Sequence, residues 1–182
     1  MIKDKNFVIY QTVNGAKVTS KEKQAPIFSN DALSWLGEGY YFWDETVDTA
    51  RWWGIEHCQS NYYIYRSTYD YYGKDYFDIH SNTYHREEFK KIALSLLDEN
   101  NPDISVCEVL YIMFHMPRLM DGYKAVRARP EPIDKQIKSI KFDKANRYVF
   151  NFNVKTQICI KDLSFLKSKY TFVEKYPEIK IV

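Results

Sequence analysis

From Gly37 to Trp53 the chain switches from a strand pattern to a helix pattern within a few residues. Gly37-Glu38-Gly39 is a glycine-punctuated turn, and Tyr40-Tyr41-Phe42-Trp43 is an aromatic run of strand type. Asp44 and Glu45 then stand before a stretch of small residues and tryptophans. Asp44 and Thr46 both suit an N-cap, because a short side-chain oxygen can accept the free N–H groups of a helix's first turn. A helix is expected over about Val47 to Cys58. A corner of this kind asks for a fold in which sheet and helix share one core.

The rest of the chain repeats the alternation. Phe7-Val8-Ile9-Tyr10 reads as a first strand. Asn61 to Thr68 and Asp75 to Ile79 read as two strands joined through Tyr69–Lys74, a hairpin. Thr83 to Glu99 carries Phe89, Ile92, Ala93, Leu96 and Leu97 at helical spacing, and Asp103 to His115 is a second amphipathic helix. Strands are expected over Tyr123–Ala128, Lys138–Phe142, Tyr148–Val154, Thr156–Lys161 and Tyr170–Val173. No repeat, linker or low-complexity stretch divides the chain. The expectation is one domain over residues 1–182, of α+β class, with short, mostly antiparallel strands and peripheral helices.

Composition narrows the function classes. A formal net charge of +2 on 182 residues gives no nucleic-acid field and no acidic tail. Aromatics make up 17% of the chain, with 16 Tyr, 11 Phe and 4 Trp. Tyrosine pairs a flat apolar body with a polar tip, which suits half-buried strands and the walls of ligand clefts. Cys58, Cys107 and Cys159 form no CxxC pair, and the four histidines show no HxH or HExxH spacing, so no metal site is expected. Neither GxSxG nor a Walker A motif occurs. An odd cysteine count without a framework suits a reducing compartment. The N-terminal residues lack the apolar core of a signal peptide, and no run reaches the length of a membrane span. A cytoplasmic protein, or an exported effector without a recognisable signal, is expected.

The Gly37–Trp53 segment resembles the nicotinamide-binding segment of the ADP-ribosyltransferase fold, in its poly(ADP-ribose) polymerase-like, His-Tyr-Glu branch. That pattern is Gly-x-Gly-x-Tyr-Phe, an acidic residue, then Ser-Ala before an aromatic. Gly37, Gly39, Tyr41 and Phe42 match without a gap, Asp44 takes the acidic place, Thr49-Ala50 stands for Ser-Ala, and Trp52 for the aromatic. The resemblance implies that Tyr41 and Trp52 sandwich the nicotinamide of NAD. It also implies that the Thr49 hydroxyl bonds its carboxamide and that Gly39 allows close backbone approach.

Two further motifs depart from the family. Its first strand ends in His-Gly-Ser/Thr, whereas this one ends in Gln11-Thr12. The resemblance gives Gln11 the ribose on the adenosine side and the Thr12 backbone the carboxamide. Its third motif is a glutamate opening a strand. The register Thr156-Gln157-Ile158-Cys159-Ile160-Lys161-Asp162, with Lys169-Tyr170 downstream, makes that glutamate Gln157. An amide can hold a ribose hydroxyl but cannot supply negative charge to an oxocarbenium-like centre or take a proton. Glu131, in a proline-rigid loop beside Arg127 and Arg129, is the substitute carboxylate considered. Either arginine suits a pyrophosphate or an ion pair with Glu131. Glu38 and Asp44 read as turn and cap residues.

The resemblance covers roughly residues 7–54 and 148–172. It implies a split, mainly antiparallel sheet with NAD as substrate in its central cleft, and an unknown protein or small-molecule acceptor. The implied activity is NAD-dependent mono-ADP-ribosyl transfer, with Gln157, Glu131 and Tyr41 at the reacting end. The alternatives are an inactive NAD- or ADP-ribose-binding module and an NAD glycohydrolase.

Overall fold

The first strand outruns its apolar sequence. β1 (Asn6–Asn14) is paired along its whole length with β4 (Tyr62–Asp70), Asn6 opposite Asp70 and Asn14 opposite Tyr62, and this ladder carries its polar ends. The structure is a computed structural model and describes residues 6–17, 26–31, 34–44, 46–59, 61–97, 104–130, 139–141, 149–151 and 155–177. Glu131 lies outside the described residues.

The remaining strands are β2 (Phe28–Ser29), β3 (Gly39–Asp44), β5 (Tyr76–Asp78), β6 (Ala125–Ala128), β7 (Ser139–Lys141), β8 (Val149–Asn151), β9 (Gln157–Ile160) and β10 (Thr171–Tyr176). The helices are α1 (Val47–His57), α2 (Thr83–Leu96) and α3 (Val106–His115). The main sheet runs β10-β4-β1-β3-β9-β6-β5, with β2 added beside β3, and β7 and β8 form a separate two-stranded ladder. Pairing is antiparallel except between β5 and β6. The α+β class and the mostly antiparallel sheet expected from the sequence are present.

The expected hairpin over Tyr69–Lys74 does not form. Both edges of β4 are occupied, by β1 and β10, so β5 has no place beside it. The chain crosses instead to the far edge of the sheet and pairs with β6. Tyr69 and Tyr76, one on each side of the crossing, meet edge to face at 5.8 Å.

Strand alternation sends successive side chains to opposite faces. One face carries Ile9, Phe42, Ala125, Ile158 and Ile160, covered by Phe165, Tyr69 and Tyr76. The other face carries two clusters. The first holds Val126, Ala128 and Cys159 under Val109, Leu110 and Met113 of α3, with Phe89, Ile92, Ala93 and Leu96 of α2 against it. These α2 residues are the helical stripe read from the sequence. The second holds Trp43, Tyr62 and Ile64 under Ala50 and Cys58 from the α1 segment. α3 is fixed by a capping box, Ser105 with Glu108, and α2 by Asn82, whose side chain accepts from the backbones of Tyr84 and His85.

Asp44 does not cap α1. It ends β3 and is buried against Arg127, whose Nε donates to its Oδ2 at 2.7 Å. The N-cap position belongs to Thr46, whose hydroxyl meets that of Thr49 at 3.0 Å.

Candidate functional site

The three motif strands β1, β3 and β9 are neighbours in the sheet. On β3, Trp43 lies opposite Gln157 and Tyr41 opposite Cys159, so these four side chains share a face. Tyr10 lies opposite Trp43, which puts Tyr10 and Thr12 on that face as well. Tyr41 packs with the α2–α3 cluster and Trp52 with the α1 cluster. Gln157 lies opposite Trp43 of the second cluster, and Cys159 opposite Tyr41 of the first.

Each side chain has a defined attachment. The phenol of Tyr41 donates to Gly37 O at 2.7 Å and accepts from Leu36 N at 2.9 Å. Burial, with Cys159 adding to it, pushes the Tyr41 hydroxyl far above the ordinary phenol value, so it is a neutral donor. The Thr12 hydroxyl donates to Ala50 O at 2.7 Å and ties β1 to α1. Gly39 has φ +155, and a Cβ there would meet Cys159 Sγ at 2.6 Å and Ile160 O at 2.7 Å. Only glycine allows the strands to approach so closely. Burial also raises the Cys159 thiol above its ordinary value, which argues against a thiolate nucleophile.

Gln157 is buried, and its Oε1 accepts from Trp35 Nε1 at 2.5 Å. Trp35, just before the glycine turn, is a residue the sequence reading missed. Its only sequence signal is its position beside Gly37. Lys155 was also missed. Its Nζ lies 3.0 Å from the centroid of the Trp52 ring.

Gln11 stands elsewhere. Its amide accepts from Ile27 N at 2.9 Å and donates to Ile27 O at 3.0 Å and Tyr41 O at 3.3 Å, while Tyr170 donates to it at 2.7 Å. It fills the fork in the sheet where β3 passes from β2, opposite Gly39 and Tyr40, to β1, opposite Trp43 and Asp44. Those contacts occupy the amide at a structural joint.

No family model matches this chain, and no curated protein or solved structure does.

Asp44 and Asp48, near the motif in sequence, are both engaged by arginines. Asp44 faces the opposite side of the sheet, in a buried network with Arg127 and Asp78. Arg127 Nη1 reaches Asp78 Oδ2 at 3.1 Å and Ser81 Oγ at 2.8 Å. Burial works against the charge on Arg127, but Asp44 and Asp78 outweigh it and hold the guanidinium above its ordinary value. At 2% exposure Arg127 is not presented to a pyrophosphate, and its described carboxylate partners are the two aspartates. Asp48 is exposed and pairs with Arg51, which also binds Glu174.

A cavity of about 580 Å³ lies at the β5 edge, lined by Tyr71, Tyr72, Lys74, Tyr76, Asp78 and His85 among others. None of the motif residues lines it. Among the described residues no group of three or more His, Cys, Asp or Glu could hold a metal ion, and no helix is long and apolar enough to cross a membrane.

Proposed function

We propose that this chain has the ADP-ribosyltransferase type of sheet and binds NAD through its nicotinamide end, as a binding protein without transferase chemistry. The observation that carries the reading is the adjacency of β1, β3 and β9. Three motif segments far apart in sequence meet on neighbouring strands, with Gln157 opposite Trp43. In this reading Tyr41 and Trp52 flank the nicotinamide ring, Thr49 and the Thr12 backbone meet its carboxamide, Gly39 lets the backbone approach, and the Gln157 amide holds a ribose hydroxyl.

The absence of transfer follows from charge. As nicotinamide leaves, positive charge grows on the ribose, and a preorganised counter-charge raises the rate by a factor of about 10²–10³. Gln157 supplies none. Its partner among the described residues is the neutral Trp35, and Lys155, two residues away, is a cation. Such a floor favours holding NAD over cleaving it.

Transfer, or hydrolysis with water as acceptor, has one observation in its favour. Ala128 pairs with Gln157, and Glu131 follows three residues later, within roughly 10 Å of extended chain.

Calorimetry with NAD, combined with assay of released nicotinamide, separates the readings. Binding without release, lost in a Tyr41→Ala, Trp52→Ala double variant, is the expected result. Release that disappears in Glu131→Gln would establish the enzyme instead. No binding at all would end both readings.

A further inference from the structure

Trp52 is surrounded by rings, none of them stacked on it. Trp43, Trp53 and His57 meet it at interplanar angles of 79°, 61° and 82°, with centroids about 6 Å away. The group seated over the ring is the Lys155 ammonium, 3.0 Å from the centroid. An ammonium is compact and strongly hydrated, and it gives up part of that hydration to sit there. The negative face of an indole is the best aromatic partner for a cation. Burial lowers the basicity of Lys155, and Glu56 of α1 opposes that shift.

Oxidised nicotinamide is itself a flat cation. On the NAD-binding reading, upon which this inference rests, its ring stacks on Trp52. Two cations cannot share that ring surface, because neither would tolerate the other's charge in a partly desolvated site. We propose that Lys155 is a built-in competitor for the nicotinium ring, an internal cation that holds the Trp52 face until a ligand cation displaces it. The displaced ammonium returns to water near Glu56. Affinity for NAD is thereby held below what the aromatic walls alone would give. Ligands that lack the ring, such as ADP-ribose, do not meet the competitor.

The test compares wild type and Lys155→Met, titrated with NAD, free nicotinamide mononucleotide and ADP-ribose. Removing the competitor tightens the two nicotinium ligands about five- to thirtyfold, the range of a partly desolvated cation–π contact. ADP-ribose affinity stays within about twofold on the same scale. Weaker NAD binding in the variant would overturn the proposal, because Lys155 would then be gripping the ligand. An equal gain for ADP-ribose would also overturn it. Unchanged NAD affinity would sink the competitor but leave the NAD reading standing. If neither protein bound any of the three ligands, the NAD reading would fall and the proposal with it.

Discussion

The Tyr170 hydroxyl donates to Gln11 Oε1 at 2.7 Å, joining two residues 159 positions apart. Burial holds the Tyr170 phenol well above its ordinary value, so the donor keeps its proton at any working pH. Gln11→Ala removes the partner of Tyr170, of both polar backbone groups of Ile27 and of Tyr41 O. Buried groups left unsatisfied cost about 1–3 kcal/mol each before relaxation, and a net loss of about 2–4 kcal/mol is expected in urea unfolding. Gln11→His should also destabilise, because an imidazole cannot reproduce an amide's two donors beside its acceptor.

Tyr65 offers the opposite case. Its hydroxyl is buried with no hydrogen-bond partner among the described residues, while its ring stacks on Tyr170 at 4.7 Å. Tyr65→Phe keeps the stack and removes the orphan. The variant should be unchanged or up to about 2 kcal/mol more stable, since no bond is lost and a desolvation cost disappears. A higher urea midpoint at constant slope is the expected reading, and a clear loss of stability would refute the orphan assignment.

Arg127 pairs with both Asp44 and Asp78 on the face of the sheet opposite that of Gln157. Arg127→Met leaves two buried carboxylates facing each other without the guanidinium, and a loss of about 3–5 kcal/mol is expected. Those carboxylates would then hold protons more readily in the folded than in the unfolded chain. Stability of the variant relative to wild type should therefore recover as pH falls from 7 to 5. Melting curves across that range test the sign, and a deficit that grows on acidification would contradict it.

His85 sets a pH dependence in the other direction. Its Nδ1 accepts from Asp78 N at 2.9 Å, and its Nε2 meets the Tyr123 hydroxyl at 3.1 Å. The neutral ring with its proton on Nε2 satisfies both contacts. Burial lowers its pKa below the ordinary 6.5, against opposing pulls from Asp78 and Glu88. The folded chain then binds fewer protons than the unfolded one. The stability from the neutral ring is complete above about 6.5 and lost as pH falls through the lower folded value. His85→Asn, whose Oδ1 can still accept from Asp78 N, should flatten this slope between pH 5 and 7.5.

Gln157→Glu restores charge to the floor. Trp35 Nε1 can donate to a carboxylate as well as to an amide, so the fold should survive. If the NAD reading holds, nicotinamide release should rise by roughly 10²-fold, the scale of one placed charge in a dry site. Unchanged release from a variant that still binds NAD would mean the strand register carries no catalytic meaning.

Much of this fold was legible locally. The turn–strand–helix corner at Gly37–His57 is written in glycine spacing, aromatic density and helix entry, all within one stretch of chain. The α2 stripe follows from three- and four-residue spacing. What the sequence hid is set by distant partners. Asp44 looks like a cap until Arg127, from β6, is beside it. Tyr69–Lys74 looks like a hairpin turn because nothing in β4 announces that both its edges are filled by other segments. Within the candidate site, the strand positions of Tyr41 and Gln157 were legible in the sequence. Trp35 and Lys155 were not, since a lone tryptophan and a lone lysine carry no pattern. Gln11, to which the resemblance gave a ribose, has its amide bonded at the fork in the sheet.

The order of the strands also sets a timetable. β3 must wait for β9, and β4 for β10, with a hundred residues or more between the partner strands in each case. Long loops lose entropy before their contacts return anything, so assembly of this sheet is limited by search rather than by local propensity. A nascent chain stopped before β9 would hold α1 and the β1–β4 ladder but leave one side of β3 bare, an aromatic strand with open hydrogen-bonding groups. The central strand of the finished molecule is, until the last seventh of the chain arrives, its most adhesive edge.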